Sequence, residues 1–134
     1  MPDLELVYEA EFSLEEVDDV LRIEDDGVVA YAYCWKDNQI TGMVWLYNHG
    51  PAPEEPNTRE KGLPQPNPKE FVKDQPFEPI KSDEEVGANW DFEQARFLIF
   101  IRGKLHAVIS DGALPGWCVL ASKPGPMARQ LEVT

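Results

Sequence analysis

Positive charge is scarce in this chain: 12 Lys and Arg stand against 25 Asp and Glu, for a formal net charge of −13 at pH 7. So acidic a molecule repels nucleic acid phosphates and anionic lipid headgroups, which argues against nucleic acid and membrane surfaces as partners. Histidine is also rare, with only His49 and His106. Neither has a second His or Cys at the short spacing zinc ligands use, so no metal site is expected. Long apolar runs are missing: the longest, Phe97 to Ile101, is far shorter than the ~20 residues of a membrane-spanning helix. The opening Met1-Pro2-Asp3-Leu4-Glu5 has neither the basic nor the apolar stretch of a secretory signal, which points to a cytoplasmic protein. Cys34 and Cys118 are the only cysteines, and in that compartment they stay reduced. Each lies in an apolar run (Tyr33-Cys34-Trp35 and Trp117-Cys118-Val119) and reads as a core residue; an oxidising compartment would leave a disulfide open.

Recognisable chemistry is absent as well. Gly103, Gly112, Gly116 and Gly125 are scattered turn glycines that form no phosphate-cradling loop, and nothing in the sequence sets a cysteine beside a histidine. Asp25-Asp26 and Asp37-Asn38 lack the alternating oxygen ligands and distant Glu of a calcium loop. No cofactor and no catalytic residue are expected.

What is present suffices for one core. A chain of 134 residues, 43% hydrophobic and 10% aromatic, fits a single domain spanning residues 1–134. Leu4, Leu6, Tyr8, Ala10 and Phe12 alternate with Glu5, Val7, Glu9 and Glu11, the period of a strand with one wet face. Ser13 stands three residues before Glu16 in capping-box spacing, and Leu14, Val17, Val20 and Leu21 follow at helical spacing. This predicts a short amphipathic helix over 14–22. Val28 to Trp35 and Ile40 to Tyr47 flank the turn residues Asp37-Asn38 as a hairpin, and Arg96 to Ile101 and Lys104 to Ile109 flank Arg102-Gly103 as a second. A two-residue turn in the first hairpin would set Tyr31, Tyr33 and Trp35 on one face with Ile40, Val44 and Leu46, and Ala30, Ala32 and Cys34 on the other with Met43, Trp45 and Tyr47. Brief helical turns are expected near 69–73 and after Ser82, a short strand at Trp117 to Ala121, and at Leu131 to Thr134 either an edge strand or a frayed end.

Eight of the 12 prolines fall in residues 51–80, which rules out a sheet ladder or helix interior there. Phe71, Phe77 and Ile80 offer anchors for this long segment. The resulting expectation is an α+β fold: a mostly antiparallel sheet of five to seven strands built around two hairpins, one short N-terminal helix and a long proline-rich loop.

The acidity is uneven, since only Asp111 and Glu132 lie beyond residue 94. Residues 95–134 are mildly basic. In general character, a small acidic chain with a long loop and no catalytic constellation resembles bacterial toxin-immunity proteins. That resemblance implies an inhibitor that occludes a partner with a basic surface, such as a toxin domain, helped by electrostatic steering. Candidate contacts are Glu15, Glu16, Asp18, Asp19, Glu24, Asp25 and Asp26, together with Glu54, Glu55 and Glu60 of the proline-rich segment. Two other readings stand beside it: a small-molecule-binding domain or minor enzyme with a pocket of Tyr33, Trp45, Trp117 and His106, and an accessory subunit of a larger assembly.

Overall fold

The computed structural model describes residues 5–132. Nine strands form two sheets, and among the described residues the only helical pieces are single 3-10 turns at Lys69–Phe71 and Asp83–Glu85. The molecule is therefore all-β, which overturns the α+β expectation.

The correction falls on residues 14–22. β1 (Tyr8–Leu14) and β2 (Val17–Asp25) form an antiparallel hairpin turning at Glu15-Glu16, so the residues predicted as a helix become a strand end, a turn and the next strand. Leu14, Val17, Val20 and Leu21 fit a helical stripe, but the same segment also alternates. Asp19, Leu21, Ile23 and Asp25 are buried, while the residues between them are not. Strand pairing decides the outcome, because β2 is hydrogen-bonded on one side to β1 and on the other to β3 (Val29–Lys36). Ser13 lies opposite Val20 in this ladder and caps nothing. Of the predicted first strand, Leu4 lies outside the described residues.

β3 turns into β4 (Gln39–Asn48) through Asp37 and Asn38, whose φ values of 53° and 63° are those of a type I′ turn. The facing pattern of this hairpin differs from expectation because β4 carries two bulges. Cys34 pairs with Gly42 and Trp35 with Ile40, leaving Thr41 over; Ala30 pairs with Tyr47 and Tyr31 with Trp45, leaving Leu46 over. Each extra residue reverses the facing of the chain beyond it. Tyr31 and Tyr33 consequently share a face with Trp45 and Met43.

The second sheet runs in the order β5 (Val86–Asp91), β6 (Arg96–Ile101), β7 (Lys104–Ile109), β8 (Trp117–Cys118) and β9 (Arg129–Gln130). Its central hairpin turns at Arg102 and Gly103, with φ of 50° and 79°. β8 and β9 pair in parallel, the other neighbours antiparallel. The strand expected at 117–121 is cut to two residues, after which Ala121 bridges to Val72. The terminal strand lies at 129–130, and Val133 and Thr134 lie outside the described residues.

The free edge of β4 is covered by turns of the second sheet: Met43 N–H donates to Ala113 O at 2.9 Å, Gly116 N–H to Met43 O at 2.7 Å, and Trp45 N–H to Met127 O at 2.9 Å. Pairing the edge in this way removes a site for edge-to-edge association. One buried cluster then spans both sheets, with Leu21, Ile23, Val44 and Leu46 from the first and Phe97, Ile99 and Ile109 from the second.

The proline-rich segment 51–80 is held by polar ties, since its backbone makes few ladder bonds. Tyr31 OH donates to Gln65 O at 2.8 Å, Arg59 pairs with Asp26 at 2.7 Å, and Asn48 exchanges hydrogen bonds with the Asn67 backbone at 2.9 Å. It covers the Tyr31 and Trp45 end of the first sheet's outer face and leaves the rest of that face open.

Candidate functional site

The open part of the outer face follows from the registers of β1 to β4. One cross-strand row reads Glu11, Arg22, Tyr33, Met43; beside it lie Glu9 and Glu24 on one side, and Ser13, Val20, Trp35 and Ile40 on the other. Arg22 is the hub. Its guanidinium reaches Glu11 at 3.1 Å, Glu24 at 3.3 Å and Glu9 at 3.4 Å. Three carboxylates against one guanidinium leave the group net negative, and at such exposed positions each pair contributes little to stability.

Beside this hub is a recess of about 530 Å³ lined by Asp18, Val20, Arg22, Trp35 and Asp37, among others. The Trp35 indole Nε1–H is buried there without a hydrogen-bond partner, while Ile40, its cross-strand neighbour, is 48% exposed. The Tyr33 hydroxyl is pushed up to about 12, first by burial and then by the negative charge of Glu24 and Asp26. The face thus combines aromatic surface, an arginine and surplus negative charge. Tyr, Trp and Arg are the residue types that dominate binding energy in protein interfaces.

The structure distributes the sequence-derived contact residues unevenly. Glu15 and Glu16 are exposed at the β1–β2 turn, and Asp18 and Glu24 lie on the outer face. Glu54, Glu55 and Glu60 are exposed on the proline-rich segment, with Glu54 paired to Lys69 at 3.3 Å. Asp19, Asp25 and Asp26 point inward instead. Asp19 is 6% exposed and accepts from the Cys34 thiol at 3.7 Å. Asp25 is fully buried between Tyr47 OH at 2.6 Å and His49 Nε2 at 2.7 Å, and also takes the Gly27 amide at 2.9 Å. Asp26 takes the Val28 and Val29 amides and the Arg59 guanidinium. These three carboxylates hold strand ends and the proline-rich segment together and offer nothing to a partner's surface. Glu9 and Glu11, absent from the predicted set, join the site because β1 carries them on the same face as Asp18 and Glu24. Their alternation with Tyr8, Ala10 and Phe12 was the available signal.

The four aromatic-pocket residues do not converge. Tyr33 lies on the outer face, Trp117 sits under the Arg129 guanidinium at 4.7 Å, and His106 is buried between the sheets. Trp45 alone among them lines a second, larger cleft beside the proline-rich segment.

One pairing was invisible in the sequence: Cys118 Sγ lies 3.6 Å from His106 Nε2. Both groups meet the Leu46 carbonyl, freed by the bulge, at 3.5 Å and 2.7 Å. With Nε2 donating to that carbonyl, it has no lone pair to deprotonate the thiol. Burial pushes His106 down to about 4 and Cys118 up to about 12, so both are neutral near pH 7. The pair is a packed polar contact and supplies no nucleophile.

Among the described residues no cluster of three or more His, Cys, Asp or Glu is arranged to hold a metal ion, and no helix is long and apolar enough to cross a membrane. No protein-family model, curated protein or solved structure matches this chain.

Proposed function

We propose that this protein is an acidic, protein-binding inhibitor of the immunity type, which captures a partner with a basic surface on the outer face of the first sheet. The observation that supports this most directly is the clustering of Glu9, Glu11 and Glu24 around Arg22, next to Tyr33 and Trp35. Surplus negative charge steers a basic partner inward and raises the association rate, and the aromatic rings supply contact area at little entropic cost. The exposed acids Glu15, Glu16 and Asp18 extend the same field past the β1–β2 turn.

The test is co-expression with the product of the adjacent reading frame, followed by binding kinetics. Wild type should restore growth and bind with an association rate that falls steeply with salt. Combined Glu9→Gln, Glu11→Gln and Glu24→Gln substitutions should slow association about tenfold or more, and Trp35→Ala should speed dissociation. Unchanged kinetics in both variants would place the contact surface elsewhere and sink this reading.

A further inference from the structure

A cleft of about 810 Å³ opens between β4 and the two halves of the proline-rich segment, and it shares no lining residue with the recess of the acidic face. Small-molecule sites run from about 300 to 1,000 Å³. Val72 and Phe77 line it, with the buried rings of Trp45 and Tyr47 behind them and Pro51 and Pro76 alongside. The polar groups at its base are already engaged. Tyr47 OH bonds Asp25 and Ile80, and Asn48 Oδ1 accepts from both Trp45 Nε1 and the Asn67 amide at 2.9 Å. A ligand rich in hydroxyl groups would therefore find few partners there, whereas a flat apolar body would be accommodated.

One cation in the cleft has no ion-pair partner among the described residues. Among the described residues, eight of the chain's 12 cationic side chains are ion-paired, Arg129 covers Trp117, and Lys61 and Lys104 are exposed. The twelfth, Lys73, lines the cleft half-buried and has neither a carboxylate nor an aromatic partner among those residues. In a molecule of net charge −13, a half-buried lysine with no counter-charge among the described residues is conspicuous. Its backbone is held in place, since Lys73 N–H donates to Leu120 O at 2.8 Å and Val72 bridges to Ala121. The other charges at the cleft are Glu54, offset by Lys69, and Asp74, exposed to solvent where water and salt screen it.

We propose that this cleft binds a small aromatic carboxylate, its acid group on Lys73 and its ring against Phe77 and Val72. A polyphosphorylated ligand would meet a single available cation and two neighbouring carboxylates in a strongly acidic protein, so one negative charge fits where several do not. The site is independent of the acidic face and of the inhibitor reading.

The probes are benzoate and indole-3-acetate, with benzamide and indole-3-acetamide as neutral counterparts, followed by calorimetry and by chemical-shift mapping of the ¹⁵N-labelled protein. At least one acid should bind, its amide at least tenfold more weakly, with shifts confined to residues 50–54 and 72–77. Lys73→Met should weaken acid binding about tenfold and Lys73→Arg should restore most of it, while Lys123→Met, on a lysine paired with Glu70, should leave it unchanged. Absence of binding by both acids, equal binding of acid and amide, unchanged binding by Lys73→Met, or shifts mapping elsewhere would each overturn the proposal.

Discussion

The phenol of Tyr47 donates to the buried carboxylate of Asp25 at 2.6 Å, and the same oxygen accepts the Ile80 amide at 3.0 Å. Tyr47 stands at the end of β4, just before the proline-rich segment, and Ile80 closes that segment. One hydroxyl thus ties both ends of a segment of 30 residues, 51–80, to the end of β2. Burial and the hydrogen bond to Asp25 hold the phenol protonated far above its usual range, so Tyr47 remains a donor under ordinary conditions.

Tyr47→Phe should destabilise the fold by about 2–3 kcal/mol, because it strands one carboxylate oxygen and one amide in the interior. The Asp25→Asn substitution should be costly too, and the double variant should cost less than the sum of the two by at least about 1 kcal/mol. Urea denaturation of the four proteins checks this; strict additivity would show that the contact carries no coupling.

Stability should fall on mild acidification through His106. Its folded-state value is depressed to about 4 by burial, below the 6.5 of an unperturbed histidine, so the unfolded chain binds a proton that the native state refuses. The contribution is fully present above pH 6.5 and is lost as pH falls toward 4, amounting to about 3 kcal/mol over that window. His106→Gln keeps a donor for the Leu46 carbonyl but does not titrate. Its stability should vary less between pH 7 and pH 4.5 than that of wild type in chemical denaturation, and an identical loss would assign the acid sensitivity to the carboxylates.

A methyl group at residue 42 should be more damaging than one at residue 87. A Cβ on Gly42 runs into the Ser110 backbone carbonyl, where β4 meets the turn that joins it to the second sheet, and a Cβ on Gly87 meets nothing within 4 Å. Gly42→Ala should cost about 3 kcal/mol by forcing these backbones apart, and Gly87→Ala less than about 0.5 kcal/mol. Thermal melts of the two variants compare them directly.

Neither thiol should react in the native protein. Cys34 and Cys118 are both free and buried; burial, reinforced by Asp19, pushes Cys34 up to about 11, and burial pushes Cys118 up to about 12. Titration with a thiol-specific chromogenic disulfide at pH 8 should show no fast reaction in native buffer and two equivalents after denaturation. Rapid native labelling of one equivalent would reveal local opening at that site.

Much of the strand pattern was readable from local chemistry. Asp37, Asn38 and Gly103 tolerate positive φ, which is what a two-residue hairpin turn requires, and the apolar runs on either side pair as hairpins, with bulges that shift their facing. Residues 14–22 were ambiguous because their apolar positions satisfy both a period of 3.6 and a period of two. Only the strands on either side of β2 resolve them, and those partners are not local. The bulges at Thr41 and Leu46 left no comparable mark, and they decide which face receives Trp45 and where the Leu46 carbonyl points.

For the candidate site, the acids on alternating strand positions were legible as outward-facing, but their convergence on Arg22 was not, since it depends on the register of β1 against β2. Asp19, Asp25 and Asp26 look like surface acids in isolation because carboxylates are rarely buried unpaired. The groups that make their burial possible come from other strands and from the proline-rich segment: Cys34 for Asp19, Tyr47 and His49 for Asp25, Arg59 for Asp26.

The sequence by itself determined the charge, the turns, the strand-forming runs and the exclusion of a helix interior or a regular ladder from residues 51–80, because each rests on side-chain chemistry or on proline geometry within a few residues. The tertiary structure alone decided that residues 17–25 are strand, which acids face water, and that Lys73 lines a cleft with no counter-charge among the described residues. Each of these depends on partners distant in the chain, and burial and hydrogen bonding between such partners outweigh local preference.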